Sequence, residues 1–421
     1  MEPLEFAPFA CVVALACALA LRPPTAVQRL TGGLNYFFVP SVDKEEESSR
    51  ASRKASNREL KERAAAREVA TSSIARIQLV PQVLAARPLF ESLDLIAFFA
   101  SLLACESLAS VAGAFIFNTH SALTPTMSVA GLLLACKCLL DAHRDRTITP
   151  PVERQLALLV AFVGWALTVF VVFLAPASAV DFSLVGLAND ANDILRNLLG
   201  AEVRVSVLHV GLAFAFISSA VSGLLFAGSS RLVKAYLMAT ACPQWCKEYA
   251  SSAKLSPFRK FLLQTTFASP MGVLVASSPG MCFAADANPI ELQAVSLVAC
   301  GALFFAAVRP LTQAHLDSGL IAWYEIKEGD AENENLTEAQ RSAIERKLNV
   351  TSHIVVKVAL QFAAPALAFA SCGVGAWAYS LRASVEASAR IKMQAMLVTG
   401  WFLALWTTAF GALAFVLNRK L

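Results

Sequence analysis

The sequence predicts an all-α fold, a polytopic membrane helix bundle with about nine transmembrane helices. Three observations carry that prediction. Of 421 residues, 57% are hydrophobic and 16% charged, and the mean hydropathy is +0.58, which is more apolar and less charged than a soluble domain. The apolar residues are gathered into runs long enough, at ~1.5 Å of rise per residue, to cross a hydrocarbon layer of ~30 Å. Lys and Arg collect in alternate loops, as orientation in a membrane requires. The net charge of +4 therefore reads as topology, and no nucleic-acid partner is expected.

Taken in order, the first apolar run, Leu4 to Leu21, has acidic Glu2 and Glu5 before it and Arg22 and Arg29 after it. That polarity predicts a retained span with its N-terminus outside rather than a cleaved signal. Residues 22–91 then form a hydrophilic segment with an aromatic patch, Asn35-Tyr36-Phe37-Phe38, and a charged run, a composition that predicts a partly helical or disordered cytosolic loop. The central membrane bundle occupies residues 92–310. It opens with two apolar segments, Ser92 to Phe117 and Pro125 to Leu140, joined by a short uncharged link. A fourth run, Leu156 to Leu174, carries no charge. Residues 176–203 bring Asp181, Asp190, Asp193 and Glu202 between apolar residues spaced for an amphipathic helix on the membrane surface. The fifth run is Val205 to Ala227. The sixth, Phe261 to Ala285, contains Pro270 and Ser277-Ser278-Pro279-Gly280 and predicts a kinked or broken helix. A seventh run, Glu291 to Val308, leads into a cytosolic helical loop over residues 311–349, where Thr337 and Gln340 have the spacing of a capping box. Residues 350–421 supply a C-terminal pair of spans, with Pro365 bending the first.

This order leaves loops 22–91, 141–154, 228–260 and 308–350 on one side, all rich in Lys or Arg, whereas the opposite loops are poor in both. The exception is loop 380–394, with Arg382, Arg390 and Lys392. The basic side is cytosolic by the positive-inside tendency, so the glycosylation sequons at Asn335 and Asn349 stay bare.

Charged residues inside apolar spans are the candidates for function, because a charge in hydrocarbon is costly unless it is paired or put to use. Glu106 lies 15 residues before Ser121 and Lys137 lies 16 residues after it. In an antiparallel hairpin centred on Ser121 the two share one depth, either as a clamp that holds two helices in register or as the polar core of a transport path. His353, Lys357 and Gln361 fall four residues apart on one helical face; Lys357 sits close enough to the cytosolic edge to snorkel. Asp190 and Asp193, three residues apart, form a candidate external acidic site for a cation.

Catalytic and cofactor patterns do not emerge. The sequence holds no Walker loop, zincin helix or Gly-x-Ser-x-Gly elbow, and its five histidines are scattered over separate segments. Eight cysteines lie within apolar runs, where they pack as small hydrophobes; Cys242 and Cys246 share a loop without a companion cluster for zinc. No catalytic residue, metal or cofactor is expected.

Several blocks in fixed order resemble the transmembrane protein 161 family. They are Thr31-Gly32-Gly33-Leu34-Asn35-Tyr36-Phe37-Phe38-Val39-Pro40 before the acidic run Asp43 to Glu47, Lys137 with His143 near the end of the third span, Asp181-Phe182-Ser183-Leu184 with Asn189 to Asn192, Gln313-Ala314-His315-Leu316, and Leu360-Gln361-Phe362-Ala363-Ala364-Pro365. The resemblance implies a multi-pass membrane protein of the plasma membrane or an endomembrane, without established enzymatic activity. Beyond the lipid bilayer, it implies ion channels or transporters as partners through which ion currents are regulated.

Overall fold

The computed structural model describes residues 27, 30–38, 75–79, 81–117, 123–174, 182–199, 204–241, 250, 255–278, 288–321, 338–383 and 386–418. Two short strands come first, β1 (Asn35–Phe38) and β2 (Ala75–Gln78), then α1 (Pro81–Ala85), α2 (Phe90–Phe117), α3 (Leu123–Arg144) and α4 (Pro151–Leu174). They are followed by α5 (Leu184–Leu199), α6 (Val207–Thr240), α7 (Pro257–Ala276), α8 (Pro289–Asp317), α9 (Glu338–His353), α10 (Val355–Ala383) and α11 (Ala387–Asn418).

Among the described residues, seven helices, α2, α3, α4, α6, α8, α10 and α11, are long and apolar enough to cross a membrane. The chain is thus a multi-pass membrane bundle, with fewer qualifying helices than the nine expected. The run Leu4 to Leu21 lies outside the described residues. The other difference is α7, whose first turn carries Arg259 and Lys260. At 20 residues it is still about 30 Å long. It also runs antiparallel along α8, where the Thr266 hydroxyl bonds to the Leu303 carbonyl at 3.2 Å and Ser269 Oγ meets Cys300 Sγ at 3.3 Å.

Of the two places where the sequence predicts a kink or break, Pro270 does not interrupt the helix and Ser277 follows its end. Pro270 lies within continuous α7, and the carbonyl of Thr266 that proline leaves without its usual donor accepts from Ser269 Oγ at 2.8 Å. The helix ends at Ala276, and residues 279–285 lie outside the described residues.

Helix α10 is the hub. Its apolar window is 89% buried, against 22% for α4, because α2, α3, α6, α8 and α11 surround it. Small residues make that enclosure possible. A Cβ on Gly301 of α8 would stand 2.7 Å from Ala370 N, and one on Gly373 of α10 would stand 2.6 Å from Ala294 O, so the two backbones approach as closely as glycine allows. The last two spans are therefore woven into the bundle from both sides.

Segments outside the bundle also order themselves on it. The aromatic patch at residues 35–38 is a strand, paired antiparallel with β2 so that Asn35 faces Gln78 and Phe38 faces Ala75. Alternation turns Phe37 inward, where it is 4% exposed. Gln313 of α8 holds the strand, accepting from Asn35 N at 2.8 Å and donating to Asn35 O at 3.0 Å. At the opposite end, the segment after α4 forms the expected amphipathic helix as α5. It is anchored by Phe182, which packs against Phe214, Trp401 and Phe402.

Candidate functional site

The strongest concentration of buried polar chemistry lies at the basic-loop end of the bundle, where α3 turns into α4. Asp145 accepts from Thr147 N at 2.8 Å, and Thr149 N donates to Asp145 O at 3.1 Å, folding the chain back in a tight turn. The Thr149 hydroxyl then donates to the Ala142 carbonyl at 2.8 Å. Pro151 opens α4, a position where its missing N–H costs nothing, and Glu153 falls in the first turn, where a carboxylate suits the helix dipole.

Two cations converge on that carboxylate. Lys357 Nζ, on α10, donates to Glu153 Oε1 at 3.0 Å and to Thr149 Oγ1 at 2.8 Å. Arg231, on α6, donates to Glu153 Oε2 at 2.7 Å and to Gln361 Oε1 at 2.5 Å. The Lys357 side chain is fully buried (0% exposed) and that of Glu153 is 14% exposed. A buried charge persists only when paired and hydrogen-bonded, and here one carboxylate serves two cations. The result is a three-helix brace joining α4, α6 and α10. His143 adjoins it at the end of α3, its Nδ1 within 2.8 Å of the Leu139 carbonyl.

This arrangement corrects the expectation for Lys357. Its side chain turns inward to Glu153 instead of snorkelling outward, because α10 is enclosed on every side and no route to the surface exists along its stem. Gln361 lies one turn on, 2% exposed, and joins the same network through Arg231. His353 is separate, its Nδ1 paired with Arg87 at 2.8 Å.

Glu106 and Lys137 are not brought together. Glu106 is 1% exposed and accepts from Thr124 Oγ1 at 3.3 Å, while Cys138 Sγ reaches the Ser92 carbonyl at 3.8 Å. Both contacts define one antiparallel register, which centres the hairpin near residue 115 rather than Ser121. Lys137 then stands level with Leu93, thirteen residues and about 20 Å from Glu106 along α2. Lys137 points away as well, exposed on an outer stripe of α3 with Leu133 and Leu140. The equal-depth pair fails because the two helices pair in a register centred about six residues before Ser121, so equal distances from Ser121 along the chain are not equal depths.

Asp190 is occupied by the protein itself. Arg390, at the start of α11, grips both of its carboxylate oxygens through Nε and Nη2. Arg390, one of the three basic residues that departed from the loop-charge pattern, is thus paired with a carboxylate, and a cation would have to displace its guanidinium. Asp193 stands on the same α5 helix and adds to the acidic field around Arg390. Among the described residues, no group of three His, Cys, Asp or Glu side chains could hold a metal ion.

Glu153, Arg231 and Thr149 escaped the sequence reading because helix limits hid them. Arg231 lies in the basic stretch after an apolar run ending at Ala227, yet α6 continues unbroken to Thr240 and carries it inside. A lone Glu within a basic turn, four residues after another polar side chain that caps the preceding helix, was the available signal. Comparison of the chain with family models, curated proteins and solved structures returns no match, so its chemistry is interpreted from these contacts alone.

Proposed function

We propose that this chain is a multi-pass protein akin to the transmembrane protein 161 family, acting without catalysis by regulating ion-handling partners, channels or transporters, from the plasma membrane or an endomembrane. In this reading α7 and the run Leu4 to Leu21 complete about nine crossings, the number expected from helix-length apolar runs. Lys137 carries the proposal. It is an ammonium within an apolar span, exposed between Leu133 and Leu140 on the outer face of α3, and intramembrane charges of this kind mark functional contacts. A carboxylate on a partner's span is the chemistry that would satisfy it. The core supports the same reading, because Glu153, Lys357, Arg231 and Gln361 are committed to one another and brace the bundle as a scaffold.

The test combines two measurements. Expression in an excitable cell is expected to change its ionic currents, and Lys137→Leu is expected to abolish the change while the protein accumulates normally. Purified protein in liposomes is expected to give no ion flux. Flux that disappears in Lys357→Met would overturn the reading and establish a transporter built on the buried network instead of on Glu106 and Lys137.

A further inference from the structure

A second basic site lies apart from the brace, where the β-ribbon, the start of α7 and the last third of α8 meet. These elements enclose a cavity of ≈ 260 Å³ lined by Gly33, Asn35, Arg259, Ala306, Arg309 and Gln313, among others. Arg259 and Arg309 are both exposed, and neither guanidinium has an ion-pair or hydrogen-bond partner among the described residues. Gly33 adopts φ +75°, and a side chain there would collide with the Arg309 guanidinium, whose Nη2 lies 2.9 Å from the Cβ position. The ribbon thus approaches the arginine closely because its turn carries no side chain, and the guanidinium borders the cavity.

The position of this cavity selects its occupant. Arg309 lies twenty residues into α8, about 30 Å from its start and hence at the far boundary of the hydrocarbon. Phe258 and Phe261 flank Arg259 on α7 and are 73% and 64% exposed, placing apolar rings against acyl chains immediately beside the cation. Two unpaired guanidiniums over a cavity, at headgroup depth and next to lipid-facing aromatics, match an anionic phospholipid rather than a soluble anion. Guanidinium forks suit phosphate oxygens, and basic pockets between spans on the cytosolic side bind anionic headgroups. We infer that Arg259 and Arg309 clasp the headgroup phosphate of an anionic phospholipid of the cytosolic leaflet. The site stands on its own contacts and does not depend on the partner role of Lys137.

Detergent-purified full-length protein would be titrated with short-chain phosphatidylinositol phosphate, short-chain phosphatidylcholine and inorganic phosphate, with lipid retention read by native mass spectrometry and the unfolding midpoint as a second readout. The phosphoinositide is expected to bind saturably and phosphatidylcholine not at all. Binding is expected to fall more than tenfold in Arg259→Ala/Arg309→Ala, whose unliganded midpoint should match the parent because both side chains are exposed and unpaired. Ala306→Trp, which fills the cavity while keeping both charges, should weaken binding equally. Undiminished binding in either variant would overturn the proposal, and so would inorganic phosphate competing at the same concentration as the lipid, which would make this a site for a free anion.

Discussion

Two lysines near the same end of the bundle have opposite surroundings. Lys137 lies on the outer face of α3, exposed between apolar side chains, whereas Lys357 is sealed inside α10 and bonded to Glu153 and Thr149. Their sequence contexts are alike: each is a single ammonium in an apolar span close to its basic-loop end. The difference comes from which helix is central. On a peripheral helix the ammonium faces outward, where a group outside the bundle can meet it. On an enclosed helix the same side chain needs an internal counter-charge, which the turn before α4 provides.

The largest test of this contrast is Glu153→Gln. It leaves Lys357 buried beside a neutral amide, and removing one partner of a buried pair costs about 3–5 kcal/mol, measurable as a large drop in the thermal unfolding midpoint in detergent. A loss no greater than that of Lys137→Leu would dissolve the contrast. Lys357→Met should cost less, about 1–3 kcal/mol, because Glu153 keeps Arg231. The double variant Glu153→Gln/Lys357→Met should be more stable than Glu153→Gln alone, since the stranded charge is gone; strict additivity of the two losses would show that the residues are not coupled. Glu106→Gln should cost about 0.5–1.5 kcal/mol through its bond from Thr124, and the charge exchange Glu106→Lys with Lys137→Glu should give no rescue, because the residues lie at different depths. The smallest stability effect belongs to Lys137→Leu, within about 0.5 kcal/mol of the parent as for other exposed sites, although it should remove the effect on ionic currents.

The end of the bundle that carries α5 sharpens the lesson. Loop 380–394 broke the charge pattern in the sequence, and the Asp190 with Asp193 spacing resembled a cation site; the two features meet in part, since Arg390, one of the three basic residues of that loop, is bound by Asp190. Spacing along one helix cannot reveal that, because the partners lie 200 residues apart in the chain. The same holds for Gln313 and Asn35, separated by 278 residues and joined by two hydrogen bonds.

Composition and apolar run length were sufficient for the class of molecule, since hydrocarbon forces every spanning backbone to satisfy its own hydrogen bonds as helix. They also placed most of the candidate spans and the amphipathic helix α5, and they marked Lys357 and Gln361 as an unusual polar stripe. Which helix forms the centre was decided by packing between distant segments, where Gly301 and Gly373 let α8 and α10 close on each other. That choice determined the fate of each charge. The energy of an ionised side chain depends on the dielectric and counter-charges around it, and these are properties of neighbours that only the tertiary structure assigns.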